Sequence, residues 1–261
     1  NLFVNGKGVL LAHLFLLGMI YSKLSYSDSI SIASEYRSVS YAEYSDDSYK
    51  LNTEEGSVIG LNLKASFQVS SRYVLGASYY QLDGDLSYDG FSQGGARHKT
   101  RSRANFFGGQ VSCNRDYGKY QIGVGWTKDH WNRFIKPANG FLALNERYRK
   151  RGVVFRGYAG EGSLYAESFI VRYLSSEMKV DLTEIGQGWV EIPLPDYWAG
   201  KVSLGYESEI SKGTKINLLS SYSFAQMPKS GSVPVGNKRI LEPKNSTEYI
   251  SISIGIRFYY L

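Results

Sequence analysis

Asp83, Asp85, Asp129 and His130 are the side chains of this sequence best placed to activate a water molecule. Asp83 and Asp85 flank a glycine in an alternating segment, so on a strand both carboxylates share one face. Asp129 and His130 are adjacent and offer a His–Asp pair of the type that acts in general base catalysis. Neighbours on a strand point to opposite faces, however, so this pair would separate. The spacings favour a solvated rim of charges, and no catalytic residue and no cofactor is expected.

Other residues with reactive side chains are few. His98 and His130 are the only histidines after residue 27, and neither has a serine and a carboxylate at a spacing typical of a catalytic triad. Cys113 is the only cysteine, which excludes an internal disulfide framework and a multi-cysteine metal site. We therefore expect no metal site, and we interpret Cys113 as a small apolar strand residue.

Basic residues are concentrated in the segment 128–156, where eight lysines and arginines oppose two acidic residues, a net charge of +6. Arginine clusters bind phosphate groups in bidentate fashion, so the segment is a candidate anion-binding loop. The candidate contacts are Arg133, Lys136, Arg147, Arg149, Lys150 and Arg151. A merely solvated loop is the alternative. No nucleic-acid motif accompanies these residues, so nucleic acid is not expected as a partner.

Residues 1–27 have the composition of an export signal. Lys7 precedes an apolar run over 8–20, and a run of about a dozen residues is too short to cross a bilayer as a helix. Ser25 and Ser27 then place small residues at the −3 and −1 positions of a cleavage site before Asp28. The sequence predicts a signal peptide over 1–27 and one domain over 28–261, with a membrane anchor as the alternative for the first segment.

After residue 27 the recurring pattern is alternation with period two, which is typical of strands with one apolar face. The clearest case is the last segment, where every even position from Ile250 to Tyr260 is large and apolar or aromatic. Counting such segments predicts about ten strands. An extra hairpin around Val153–Tyr158 would raise the number to twelve.

The connections between these segments alternate in length. Short turns are predicted at 70–72, 116–118, 175–177 and 212–214, and long polar loops near 45–56, 84–100, 128–162, 185–199 and 226–247. This alternation is typical of an all-β fold, a closed antiparallel transmembrane β-barrel with short periplasmic turns and long extracellular loops. A soluble β-sandwich or lipocalin-like barrel, with its apolar face inward, is the alternative.

Lone charges in the middle of strands indicate which face is inside. An Arg or Lys that faces lipid at the bilayer midplane costs about 2–4 kcal/mol, so such charges are assigned to the lumen. They are Lys64, Arg172, Lys179, Asp181, Glu207, Glu209 and Arg257. A hairpin near 175–178 would set Arg172 opposite Asp181. The mixed signs predict a narrow, charge-paired lumen.

The last strand resembles the C-terminal assembly signal of bacterial outer-membrane β-barrel proteins, because it alternates throughout and ends in aromatic residues. The residues concerned are Ile250, Ile252, Ile254, Ile256, Phe258 and Tyr260. The strand departs from that signal at Leu261, which is out of phase with the apolar face. The resemblance implies a place in the outer membrane, contact with its lipid and lipopolysaccharide, and use of the barrel-assembly machinery.

Three functional hypotheses remain open at this point. The first is a non-enzymatic barrel that acts through its surface loops, in a structural, adhesive or lipopolysaccharide-contacting role. The second is a small porin. The third is an outer-membrane protease, since Asp83, Asp85, Asp129 and His130 superficially resemble the acidic pair and the Asp/His pair of the omptins, which are ten-stranded barrels. Asp129 and His130 follow the fifth predicted strand, which is too early for the omptin arrangement.

Overall fold

The computed structural model describes residues 28–91, 96–138 and 142–259, most of which lie in β-strands. The strands are β1 (Ser29–Tyr44), β2 (Lys50–Ser70), β3 (Tyr73–Phe91), β4 (Arg97–Asp116), β5 (Tyr120–Ile135), β6 (Leu144–Glu161), β7 (Leu164–Asp181), β8 (Trp189–Leu194), β9 (Tyr197–Ser211), β10 (Thr214–Met227), β11 (Val233–Val235), β12 (Lys238–Ile240) and β13 (Lys244–Tyr259). A short 3-10 helix occupies Thr183–Ile185. Within the described residues, no helix is long and apolar enough to span a bilayer.

Ten antiparallel strands form one closed wall in the order β1 to β7, β9, β10 and β13. The wall closes because β13 pairs with β1 along its whole length, and β6 pairs with β7. The prediction of an all-β barrel of about ten strands is thus confirmed. The twelve-stranded alternative is wrong, because Val153–Tyr158 lies inside β6 rather than in a separate hairpin.

Two additions stand outside the ten-stranded wall. β8 pairs with the last residues of β7, beyond the point where β9 begins, so it continues the line of β9. Pro195 interrupts that line and has no backbone N–H with which to continue a ladder. β11 and β12 pair as a small hairpin within the segment 228–243.

The two ends of the barrel differ. At the turn end, tight connections lie at 71–72, 117–119, 162–163 and 212–213. At the loop end, the connections are 45–49, 92–96, 136–143, 182–188 and 228–243. The predicted turn at 175–177 is wrong, because these residues lie inside β7 and the chain turns instead at Gly162, whose φ is +62°.

The loops are shorter and the strands longer than the sequence predicts. Wall strands have 14 to 21 residues, so most of the segments expected as long loops, 128–162 above all, are strand. The reason is a change of phase. On β3, Leu75 and Tyr79 face outward, whereas Leu82 and Leu86, nearer the loop end, are buried inside. A strand whose apolar face changes from outside to inside loses its simple alternation. The sequence pattern of its loop-end half therefore predicts a loop instead of a strand.

The predicted signal peptide, residues 1–27, lies outside the described residues. Tyr260, the last member of the predicted assembly signal, also lies outside them. The five earlier members, Ile250 to Phe258 at even positions, face outward on β13 with 40 to 59% of their surface exposed.

Candidate functional site

The half of the wall nearer the turn end carries a continuous apolar belt on its outer surface. On β2, Ile59, Leu61 and Leu63 point outward, and each exposes more than 40% of its surface. Equivalent residues on the other wall strands are Ile32, Leu75, Val111, Ile122, Phe155, Ile170, Leu204, Leu218 and Ile254. An exposed apolar surface of this extent is typical of contact with lipid rather than with water.

The half nearer the loop end is filled with apolar side chains instead of being open. Trp131 stacks on Phe106 and on Tyr148, with ring centroids 5.3 and 5.1 Å apart. Buried residues from almost every wall strand and from β8 complete this plug: Val39, Tyr41, Val58, Leu82, Leu86, Ala104, Met178, Val180, Ile192, Leu194, Tyr197 and Met227. Packed side chains therefore fill the interior at the loop end.

A buried charge cluster lies within the plug, centred on Arg133 of β5. The Arg133 guanidinium is 1% exposed and donates to Glu146 at 2.6 Å, to Glu43 at 3.2 Å and to Glu54. Tyr41 lies against it, 5.0 Å from ring centroid to Cζ. Four wall strands, β1, β2, β5 and β6, are thus joined by one side chain near the loop end.

Glu242 connects the segment 228–243 to this cluster. Its Oε1 accepts hydrogen bonds from the hydroxyls of Tyr41 and Tyr148, both at 3.1 Å, and from the Asn245 amide at 3.0 Å. Burial and the nearby carboxylates of Glu43 and Glu146 raise the pKa of the Glu242 carboxyl well above its ordinary value. The segment 228–243 is therefore attached to the loop end of the barrel by a carboxyl group that favours its protonated form.

Below the plug, toward the turn end, the lumen contains paired charges. Glu167 of β7 accepts from Arg156 at 2.8 Å and from Lys64 at 3.4 Å. Arg257 of β13 pairs with Glu207 of β9. Glu209 has the same inward phase but lies at the exposed turn end. Lys64, Glu207 and Arg257 therefore lie in the lumen.

Arg172, Lys179 and Asp181 were expected in the lumen and lie on the outer surface instead. Their outer partners are different from those expected: Arg172 lies 3.6 Å from Asp196, and Lys179 lies 2.8 Å from Glu191. Asp181 accepts from the Thr183 hydroxyl. The expectation depended on a turn at 175–177. Because β7 is continuous there, Arg172 and Asp181 share one strand and cannot face each other across a ladder.

Several lumen charges were missed at the sequence level: Glu35, Arg37, Lys150, Arg156, Glu167 and Lys201. Glu35 and Arg37 flank outward-facing Tyr36 on β1 and form an ion pair at 2.8 Å. Lys201 immediately precedes outward-facing Val202 on β9. The same signal that identified Lys64, a charge in mid-strand between lipid-facing neighbours, would have found Glu35, Arg37 and Lys201.

The candidate anion contacts divide between the two faces of the wall. Arg147, Arg149 and Arg151 lie on the outer face of β6. Arg133 and Lys150 face the lumen, so their inclusion in an outer contact set is wrong. Lys136 lies on the outside, 3.4 Å from Asp85. The cause of the division is that 128–156 is not a loop but two paired strands, on which consecutive residues alternate between faces.

The residues considered for water activation do not assemble. Asp83 and Asp85 are on the outer face of β3, where Asp83 accepts from Arg103 at 2.9 Å. Asp129 is inside the lumen and accepts from the hydroxyls of Tyr80 and Tyr173, both at 2.8 Å. His130 is outside and stacks on Phe107, with centroids 4.5 Å apart. His98 is buried on the inner face of β4. Within the described residues, no cluster of His, Cys, Asp and Glu could hold a metal ion.

The fold is similar to that of known barrels, although no family model and no curated protein matches the sequence. The outer membrane protease OmpT of Escherichia coli has a TM-score of 0.55 and 9% identity, covering 92% of this chain and 99% of that one. The translocator domain of the autotransporter NalP of Neisseria meningitidis has a TM-score of 0.49 and 8% identity, covering 98% and 96%. OprG of Pseudomonas aeruginosa has a TM-score of 0.39 and 12% identity, covering 91% and 97%. The chain has the fold of a bacterial outer-membrane β-barrel.

Proposed function

We propose that the chain is an integral outer-membrane protein, closed toward the cell exterior, whose outer basic surface binds the phosphate groups of lipopolysaccharide. The observation that carries the proposal is a pair of like charges. Lys128 of β5 lies directly opposite Arg151 of β6 on the outer face, and both are exposed. Like charges in opposite positions destabilise a sheet, so an anion bound between them would offset that repulsion.

The position of this pair fits a lipid phosphate. One step nearer the turn end on the same face, Trp126 pairs with Val153, and both belong to the apolar belt. One step nearer the loop end, His130 pairs with Arg149. On these two strands the cations therefore begin where the belt stops, and we expect the phosphates of an outer-leaflet lipid to meet the wall at this height. Short turns are periplasmic in barrels of this type, which directs the loop end outward.

The plug supports a closed barrel rather than a channel. The buried aromatic and aliphatic side chains of the plug fill the interior at the loop end, and several of the charges below it are paired, which favours a closed barrel. With the lumen blocked on that side, the outer wall and the loops are the surfaces through which the protein can act toward the exterior.

The test is a double variant, Lys128→Gln with Arg151→Gln, measured for binding of lipopolysaccharide to the purified protein in detergent. The matched control is Arg103→Gln with Lys179→Gln, which removes two outer-surface cations that already have carboxylate partners. We expect about a tenfold loss of affinity for the first variant and a much smaller change for the control. Heat-modifiable migration on gels checks that both variants fold.

Two further measurements make the test specific for phosphate. Binding to the wild type should weaken as ionic strength rises, since exposed charges are screened. Lipopolysaccharide from which the phosphates have been removed should bind the wild type and the double variant equally. If the Lys128/Arg151 variant keeps wild-type affinity at low salt, the basic surface is only solvated and the proposal is wrong.

A further inference from the structure

A cavity of about 210 Å³ lies in the lumen beneath the plug. We infer that it is a binding site for a small organic carboxylate, entered from the turn end of the barrel. The site is separate from the proposed lipopolysaccharide contact, because the two lie on opposite faces of the wall. The inference depends on the charge, the size and the walls of the cavity.

Positive charge dominates the cavity lining. Arg37, Lys64, Lys150 and Lys201 line it, whereas the lining contains one carboxylate, Asp129. Asp129 already accepts three side-chain hydrogen bonds, from Tyr80, Tyr173 and Thr127. It is thus already engaged by three neutral donors and forms no ion pair with either lysine.

Two of the four cations form no ion pair with a carboxylate. Arg37 is paired with Glu35 and Lys64 with Glu167. In the part of the chain that the structure describes, neither Lys150 nor Lys201 has a carboxylate within 4 Å. Each ammonium lies instead 5.9 Å from the centre of an aromatic ring, Lys150 over Tyr197 and Lys201 over Phe169. Removing a cation from bulk water without a counter-ion is costly, so the cavity favours an anion.

The size and the walls favour an organic anion. An apolar cavity of about 150 Å³ accommodates benzene, so 210 Å³ has room for a ring or short chain together with a carboxylate. Phe169, Tyr197 and Tyr249 supply aromatic faces, and Tyr249 lies 5.2 Å from the Arg37 guanidinium. Cations next to apolar walls are the combination that a carboxylate with a hydrocarbon body requires.

The neighbouring cavity indicates the side of entry. A second cavity of about 270 Å³ lies nearer the turn end and shares Lys64 and Phe169 with the first. Its lining reaches Ser29 and Tyr259, the terminal residues of β1 and β13 at the turn end. On the other side the plug covers the site. The ligand would therefore enter from the periplasmic side.

The experiment is calorimetric titration of the folded, detergent-solubilised protein with benzoate, with benzyl alcohol as the neutral ligand of matching shape. We expect benzoate to bind and benzyl alcohol to bind at least about tenfold more weakly, because it lacks the charge. Lys201→Met and Lys150→Met should each weaken benzoate binding about tenfold, and Lys201→Arg should retain it.

Two controls make the titration specific for this cavity. The Lys128→Gln and Arg151→Gln double variant should bind benzoate like the wild type, so failure of the lipopolysaccharide proposal leaves this one standing. Heat-modifiable migration shows whether each variant folds. Equal affinity for benzoate and benzyl alcohol, or undiminished binding by folded Lys201→Met and Lys150→Met, would overturn the inference. Binding of inorganic phosphate in place of benzoate would overturn the assignment to a carboxylate.

Discussion

Replacing Arg133 with Met removes the cation to which three buried glutamates are hydrogen bonded, and the size of the effect follows from their burial. Glu54 is 0% exposed, Glu43 and Glu146 are below 10%, and the guanidinium itself is 1% exposed. Methionine fills much of the volume of the arginine stem, so the main loss is electrostatic. Arg133 supplies one positive charge, so its removal leaves one carboxylate charge without compensation, and that carboxylate must either remain a buried anion or take up a proton.

Proton uptake sets the expected magnitude. A carboxyl group with an ordinary pKa of about 4.3 costs about 3.7 kcal/mol to protonate at pH 7, because each pH unit above the pKa adds about 1.4 kcal/mol. Breaking a buried ion pair by removing one partner costs about 3–5 kcal/mol, which agrees. We therefore expect Arg133→Met to lose about 4 kcal/mol of folding free energy at neutral pH, with a smaller loss near pH 5.

The assay is urea unfolding in detergent micelles, followed by tryptophan fluorescence at pH 5 and pH 8. Arg103→Met is the matched control, since Arg103 pairs with Asp83 on the exposed outer surface and such pairs contribute about 0–1 kcal/mol. Adding Glu43→Gln, Glu54→Gln and Glu146→Gln to Arg133→Met should recover much of the loss. A loss of equal size at both pH values, or one no larger than that of Arg103→Met, would refute the electrostatic argument.

Three further outcomes are expected. The pKa of Glu242 is raised in the folded protein, so the attachment of the segment 228–243 is strongest below the ordinary carboxyl pKa and weakens as pH rises through the raised pKa. Protease cleavage in that segment should therefore increase with pH. Glu242→Gln should abolish this pH dependence. Ile254→Arg, which puts a charge on the belt at a cost of about 2–4 kcal/mol, should impair heat-modifiable folding, whereas Ile254→Val should not. In planar bilayers the unmodified protein should give no large stable conductance steps, and porin-like steps would contradict the closed lumen.

The sequence predicts the architecture well because the lipid-facing half of each strand has simple alternation. Ile250 to Phe258 and Leu61 to Val69 each have one face that must be apolar, and this pattern is local and short-ranged. The strand number follows from counting such segments. The length of the strands does not follow from the same pattern. Beyond the belt the apolar residues face inward, so the alternation has the opposite phase and depends on which side chains fill the interior.

The candidate site was predicted only in part, since orientation depends on register. The sequence assigns Arg172 to the lumen because it predicts a turn at 175–177. It assigns Arg133 to an outer loop because it predicts that 128–162 is unpaired. Both assignments are wrong, because the chain turns at Gly162 and β6 is a full strand. The Arg133 cluster combines residues up to 103 positions apart in sequence, from Glu43 to Glu146, and no local pattern contains that information.

The change of phase also explains how the long strands keep their register. A slip of one residue turns every side chain of a strand to the other face. In an ordinary membrane barrel the penalty arises in the lipid belt. On β3 a slip would move Ser78 and Tyr80 outward at the belt and would also expose Leu82 and Leu86, which fill the plug. Since both halves oppose the same slip, the plug specifies the pairing of the whole wall as well as closing the lumen.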